Sequence, residues 1–194
     1  MSEDDEGARY DGLVDGYARH WAPVIAPAAV ALLDELAPLL PPGSPHVLDI
    51  GTGTGTRARA ALARWPAARV TGIDPAREMM ARAVAEAGNR HPTAGPARYV
   101  TTVASADRLP FPEATFDAAM SSFVLQLVPS RAAALREARR VLRPGAPLGY
   151  VTWHPAKMAP RGENLISAYL RLVVRDRPGI LSRVCGILAR HHIN

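Results

Sequence analysis

The sequence predicts an α/β fold, a doubly wound and mostly parallel sheet with helices on both faces. Two observations carry this. Val47, Leu48 and Ile50 make a short apolar run of the kind found in a strand covered on both faces, and it enters the glycine-dense turn Gly51-Thr52-Gly53-Thr54-Gly55. The theme returns at Arg69–Ile73, which ends on Asp74, and strands and helices then alternate through short loops.

In chain order, the patterns predict helices at 8–20 and 25–40, a strand at 46–50 and a helix at 56–65 with Ala58, Ala61, Leu62 and Trp65 on one face. A strand at 69–73 and a helix at 76–87 follow. After a Gly/Pro-rich loop come strands at 97–103 and 116–122, a helix at 130–142 and a strand at 147–153. In an open sheet of this kind a ligand belongs at the carboxyl ends of the strands, where Asp49 and Asp74 lie.

The turn itself selects among ligands. Asp74 follows the glycines by about 20 residues, the spacing at which a carboxylate reaches ribose hydroxyls. A helix N-cap ahead of Pro75 is a compatible second role for it. The glycines fall as Gly51-x-Gly53-x-Gly55 with Thr at 56, so the G-x-G-x-x-G dinucleotide spacing is not met. Asp49, two residues before the first glycine, would repel a pyrophosphate but accept hydrogen bonds from an ammonium. A zwitterionic ligand with a free amino group is favoured over NAD, although the glycines also fit a purely structural tight turn.

Composition limits the alternatives. With 194 residues and one cysteine, Cys185, the chain allows one α/β domain with a small appendage, no internal disulfide and a reducing cytoplasm. Met1–Glu6 is acidic and lacks an apolar leader, and no run approaches the ~20 apolar residues of a membrane span, so no membrane partner is expected. The pI is near 10, but the positive charge is almost all arginine, Lys157 being the sole lysine, and it is dispersed. Arg136, Arg139, Arg140 and Arg143 therefore read as an ordinary solvated helix face and no nucleic-acid partner is expected. The histidines show no metal-ligand spacing and no metal is expected.

With these residues in place, the chain resembles the class I S-adenosylmethionine-dependent methyltransferases, in particular the small-molecule branch typified by methyltransferase type 11. The resemblance spans most of residues 8–154 and adds four blocks to the glycine turn: Gly72 to Met80, Leu109 to Asp117, Ser121 to Gln126, and Leu135 to Gly145. It implies a Rossmann-like fold, S-adenosylmethionine as cofactor and a small-molecule methyl acceptor. Asp49 and Gly51, Gly53 and Gly55 would hold the methionine part and Asp74 the ribose. Pro75 and Met79 or Met80 would line the adenine face, Ser105 and Ala106 its edge, and Ser121 the end of the fourth strand. Many relatives carry Asp where Ser105 stands, and Asp107 is a partial substitute. Tyr17 is the expected lid residue. Met79 also fits a core position. Methyl transfer needs mainly proximity and orientation; His20 and His154 are bases by chemistry alone, and the catalytic residues are unassigned.

The tail is a second theme. Tyr169 to Leu181 and Ile187 to Asn194 resemble the opening strand, turn and helix of an ACT domain, in the flavour found at the carboxyl end of homoserine dehydrogenases. One strand and one helix cannot bury their apolar side alone, so the piece is expected to pack on the sheet, pair with a second chain as a homodimer, or stay loosely ordered. The stop at Asn194 reads as a truncated or joined reading frame. The expected division is a helical cap at 1–26, the cofactor-binding domain at 27–155, a linker at 156–164 and the truncated ACT-like segment at 165–194. The rival readings are a module that binds cofactor without turnover and an amino-acid-sensing fusion.

Overall fold

The computed structural model describes residues 10–88, 97–153 and 169–175. The proposed linker 156–164, His91, His154, His191, His192 and the tail helix lie outside the described residues.

Six strands form one sheet: β1 (His46–Ile50), β2 (Arg69–Asp74), β3 (Tyr99–Val103), β4 (Ala118–Ser122), β5 (Pro147–Trp153) and β6 (Tyr169–Arg175), in the order β3-β2-β1-β4-β5-β6. The first five are parallel, and β6 runs antiparallel beside β5, from Pro147 opposite Arg175 to Trp153 opposite Tyr169. The ACT-like strand thus meets the first of the three expectations for it, packing on the sheet. The order reverses between β1 and β4, which opens a crevice at their carboxyl ends.

The helices are α1 (Ala22–Leu36), α2 (Thr56–Arg64), α3 (Arg77–Gly88) and α4 (Arg131–Val141). Side chains alternate across the strands. Val47, Val70, Met120 and Val151 meet Leu32, Leu33, Leu36, Ala58 and Leu62 of α1 and α2 on one face. Leu48, Ile73, Ala119, Leu148 and Tyr150 meet Leu135, Ala138 and Val141 of α4 on the other. Gly149 lets α1 approach β5 closely, because a Cβ there would sit 3.0 Å from Leu32 Cδ1 and 3.2 Å from Leu36 Cδ1.

Three expectations are corrected here. The sequence predicts separate helices at 8–20 and 25–40, but helical structure continues from Val14 to Leu39 through a π-turn at Tyr17–Trp21, where Ala22 N–H donates to the Tyr17 carbonyl. Pro23 occupies the second position of α1, where a missing N–H costs little; it reads as a break only if the π-turn before it is not foreseen. This 26-residue run is also long and apolar enough, by length and composition, to cross a membrane, with a mean hydropathy of 1.5 over its most apolar stretch. The expectation that no run approaches that length is therefore wrong. Leu32, Leu33 and Leu36 are buried on the sheet, so this stretch supplies a core helix.

The arginines of α4 are a third correction. Arg140 is anchored: it donates to the carbonyls of Phe111 (2.7 Å) and Leu109 (2.9 Å) and to both oxygens of Glu137, which in turn accepts from Leu109 N–H at 2.8 Å. Arg143 pairs with Asp117, whose other oxygen accepts from His46 N–H at 2.8 Å. These two side chains fasten the 109–117 loop to α4 and β1, a tertiary role that a solvated face would not have.

Candidate active site

The turn after β1 is built on left-handed backbone at Gly51, Gly53 and Gly55, with φ of +67°, +52° and +77°. Its two outer glycines differ from the middle one in surroundings. A Cβ on Gly51 would lie 2.1 Å from Val124 Cγ2, and one on Gly55 2.9 Å from Ala83 Cβ, whereas one on Gly53 would meet only Tyr17 Cε1 at 4.0 Å. The middle of the turn is therefore open toward the N-terminal helix. Gly53 N–H donates to Asp74 Oδ2 at 2.9 Å, Ala76 N–H donates to Asp74 Oδ1 at 3.0 Å, and Thr52 N–H donates to the Ile73 carbonyl at 2.9 Å. These bonds clamp the end of β2 against the turn. Burial pushes the Asp74 carboxyl up to about 6, against the pull of the Ala76 and Gly53 amides.

Asp49 lies under the turn with no exposed surface. Its Oδ1 accepts from Arg57 Nε at 2.7 Å and from Arg57 Nη2, and its Oδ2 accepts from Thr52 Oγ1 at 2.8 Å. Since the Thr52 hydrogen goes to Asp49, Tyr99 OH, 2.7 Å from Thr52 Oγ1, donates to it. Burial raises the Tyr99 pKa, which keeps that donor in place. Both oxygens of Asp49 are engaged inside the protein, so this carboxylate braces the turn from below.

A shallow cleft opens above. Tyr17, Ala22, Ile25 and Ala29 make its largely apolar wall, and Gly51, Thr54, Thr56, Arg57 and Ser122 make the polar one. Burial raises the Tyr17 phenol to about 12, with Arg57 acting in the opposite sense, so the side chain enters as a neutral hydrogen-bonding group. Beside the cleft, Phe123 takes φ of +60°. Left-handed backbone at a bulky residue is strained and concentrates at functional sites.

The remaining expected residues divide. Pro75 is exposed next to Asp74, and Ala104 N–H donates to the Asp74 carbonyl at 3.3 Å, which brings the 104–107 turn alongside. Ser105 Oγ donates to Asp107 Oδ1 at 2.7 Å. Ala106 is buried in the core, Met79 is only 2% exposed, and Ser121 is buried on β4. His20 is exposed on the π-turn. Among the described residues no group of His, Cys, Asp and Glu could hold a metal ion. Sequence reasoning missed Arg57, Thr52, Tyr99 and Ser122. No local signal marks Arg57, since Arg59 and Arg64 stand in the same alanine-rich helix.

Comparison with known proteins decides the family. The family described as "Methyltransferase domain" matches residues 47–145, and the family described as "ACT domain" matches residues 168–194. The chain belongs to the methyltransferase domain family. The chain is 40% identical over 147 residues to the ubiquinone/menaquinone biosynthesis C-methyltransferase of Paracoccus denitrificans, covering 73% of this chain and 53% of that protein. It is 38% identical over 113 residues to the trans-aconitate 2-methyltransferase of Streptomyces avermitilis, covering 58% and 40%. The chain thus spans about half the length of these relatives. Among solved structures, an S-adenosylmethionine-dependent methyltransferase from Mesorhizobium loti is 32% identical with a TM-score of 0.54, covering 79% of this chain and 64% of that one. A [4+2]-cyclase is 26% identical with a TM-score of 0.62, covering 78% and 60%. The chain therefore has the Rossmann-like fold of class I methyltransferases, with an ACT-like unit after it.

Proposed function

We propose that this methyltransferase binds S-adenosylmethionine across the β1 and β2 ends and transfers its methyl group to a small-molecule acceptor. The observation that carries this reading is the Asp74 carboxylate, held at the mouth of the turn by Gly53 and Ala76 N–H, next to an open Gly53 and a cleft polar on one side only. That arrangement suits a nucleoside on Asp74 and an amino-acid end over the turn. When bound, S-adenosylmethionine supplies an electrophilic methyl on a sulfonium. The chain's own contribution is orientation and exclusion of water. Asp74 accepts from the ribose hydroxyls, Gly51, Gly53 and Gly55 let the backbone approach, Pro75 borders the adenine, and Tyr17 covers the open side. Ser105, Ala106, Ser121 and Met79 support the adenine and methyl ends through their neighbours. Asp49 contributes through Thr52 and Arg57.

The acceptor is a small molecule, not nucleic acid. The single cysteine supports a reducing cytoplasm. Residues 165–194 are the segment through which two copies would pair. Release of S-adenosylhomocysteine from S-adenosylmethionine with a panel of acceptors, including quinols and carboxylic acids, tests the reading. Turnover with any acceptor supports it. Binding without turnover across the panel favours the second reading, a cofactor-binding protein that does not transfer methyl groups, to which the fold likeness with a [4+2]-cyclase lends weight.

A further inference from the structure

We propose that residues 10–17 form a strap across the Asp74 end of the cleft, latched to α3 by Asp11 and Asp15, and that release of this latch sets how fast ligands enter and leave. The strap runs between two fixed points. Asp11 Oδ1 accepts from Glu78 N–H, in the first turn of α3, at 2.8 Å. At the other end Tyr17 lines the cleft, and its Cε1 lies 4.0 Å from where a Cβ on Gly53 would stand. Gly53 and Ala76 N–H both donate to Asp74, so the Asp74 mouth falls between these points.

Polar groups, not core packing, hold the strap down. Leu13 is 50% exposed, and neither the helical turn Val14–Gly16 nor the π-turn after it has a fully buried residue. Segments of this character open locally at low cost. Tyr10 and Tyr17 meet edge to face at 6.2 Å, but both belong to the strap. Its second attachment is Asp15, whose Oδ1 accepts from Arg82 Nη1 at 3.1 Å. Arg82 is held in place for this: its Nε donates to Glu86 at 2.6 Å, Glu86 pairs with Arg59 at 2.9 Å, and Arg59 donates to the Thr54 carbonyl of the glycine turn at 2.6 Å. A contiguous ionic chain thus ties the strap to the turn it covers. The Asp15 and Arg82 side chains are exposed, so salt screens this contact. Closed, the strap shields the cleft from water; open, it admits ligand. The ligand step rests on the cofactor reading above.

Hydrogen–deuterium exchange of the full chain without ligand tests the latch. The Leu13 and Tyr17 amides, bonded to the Tyr10 and Leu13 carbonyls, exchange about tenfold faster in Asp11→Ala/Asp15→Ala, the loss of two weak contacts. Wild type approaches that rate when salt is raised to about 1 M. Asp11→Asn/Asp15→Ala keeps an acceptor for Glu78 N–H and exchanges more slowly than the double alanine variant. Asp34→Ala, which removes an exposed pair with Arg64, leaves the strap unchanged. Stopped-flow binding of S-adenosylhomocysteine tests the gate. Association and dissociation both quicken about tenfold in the double alanine variant, while the dissociation constant stays within about threefold. A purely structural role would lower affinity and melting temperature instead. Strap exchange that ignores both carboxylates and salt overturns the latch, and faster exchange with unaltered ligand rates overturns the gate. Folded wild type that binds no S-adenosylhomocysteine overturns the cofactor reading and the gate with it, and the exchange result still decides the latch.

Discussion

The position a Cβ on Gly51 would take is occupied by Val124, whose Cγ2 lies 2.1 Å from it. This contact joins the turn after β1 to the turn after β4 across the crevice where the strand order reverses. Gly51→Ala adds an overlap to a left-handed backbone at +67° and is expected to cost about 2–4 kcal/mol of stability. Val124→Ala in the same chain restores part of it. Gly53→Ala meets only Tyr17 at 4.0 Å and costs about 1 kcal/mol, yet narrows the open side of the turn, so the melting temperature changes little and cofactor affinity falls. Thermal unfolding and titration of the three variants check this pattern; equal losses of stability for Gly51→Ala and Gly53→Ala would contradict it.

The buried pair Asp49 and Arg57 predicts a strongly non-additive cycle. Arg57→Met leaves the Asp49 charge buried and unpaired, and Asp49→Leu does the same to Arg57, so each is expected to cost about 3–5 kcal/mol. The double variant Asp49→Leu/Arg57→Met removes both charges and recovers most of that loss. Urea unfolding of the four proteins measures the coupling, and additive losses would show that the pair is not the organising contact beneath the turn.

Cofactor affinity is expected to depend on pH through Asp74. Its carboxyl titrates at about 6 in the folded protein against an ordinary 3.8, and only the ionised form offers acceptors to both ribose hydroxyls. Affinity therefore falls as pH drops through about 6, approaching tenfold per unit below it. The same shift acts on the ligand-free fold in the opposite sense: a raised folded pKa gives stability that is present below 3.8 and lost as pH rises to about 6. Titrations between pH 5 and 8 check the binding side, and Asp74→Asn flattens the profile. A wild-type affinity constant over that range would refute the assignment.

Arg140 is predicted to matter more than its position on a helix surface suggests. Arg140→Ala frees the carbonyls of Leu109 and Phe111 and the Glu137 carboxylate, and is expected to cost about 1–2 kcal/mol, whereas Arg136→Ala, at an exposed position, costs less than about 0.5 kcal/mol. Arg140 holds the Glu137 carboxyl below the usual range, so this contribution is present above the ordinary glutamate pKa and fades as pH falls through the lowered one. Unfolding of both variants at neutral pH decides the comparison.

The parts of the fold that were legible in the sequence are those set by local chemistry. The β1 and β2 ends were readable because positive φ demands glycine, which Gly51 and Gly53 supply, and because a carboxylate that closes on such a turn stands at a fixed spacing from it, as Asp74 does. Arg57 and Arg140 were not readable, because their roles come from partners far along the chain or beneath a turn, and in a chain this rich in dispersed arginine nothing local sets them apart. The π-turn at Tyr17–Trp21 was hidden by Pro23, which signals a break unless its place in the first turn of α1 is known. For β6, the alternation of Leu170, Leu172 and Val174 announced a strand, but its choice of β5 as partner is a tertiary event with no local mark.

The most direct measurement is calorimetric titration of the full chain with S-adenosylmethionine beside the Asp74→Ala variant. The account predicts saturable binding by wild type and at least a hundredfold weaker binding by the folded variant, about the loss of two hydrogen bonds to a charged group. Equal affinities would contradict it, because the clamp between Gly53 and Asp74 would then not be the cofactor site.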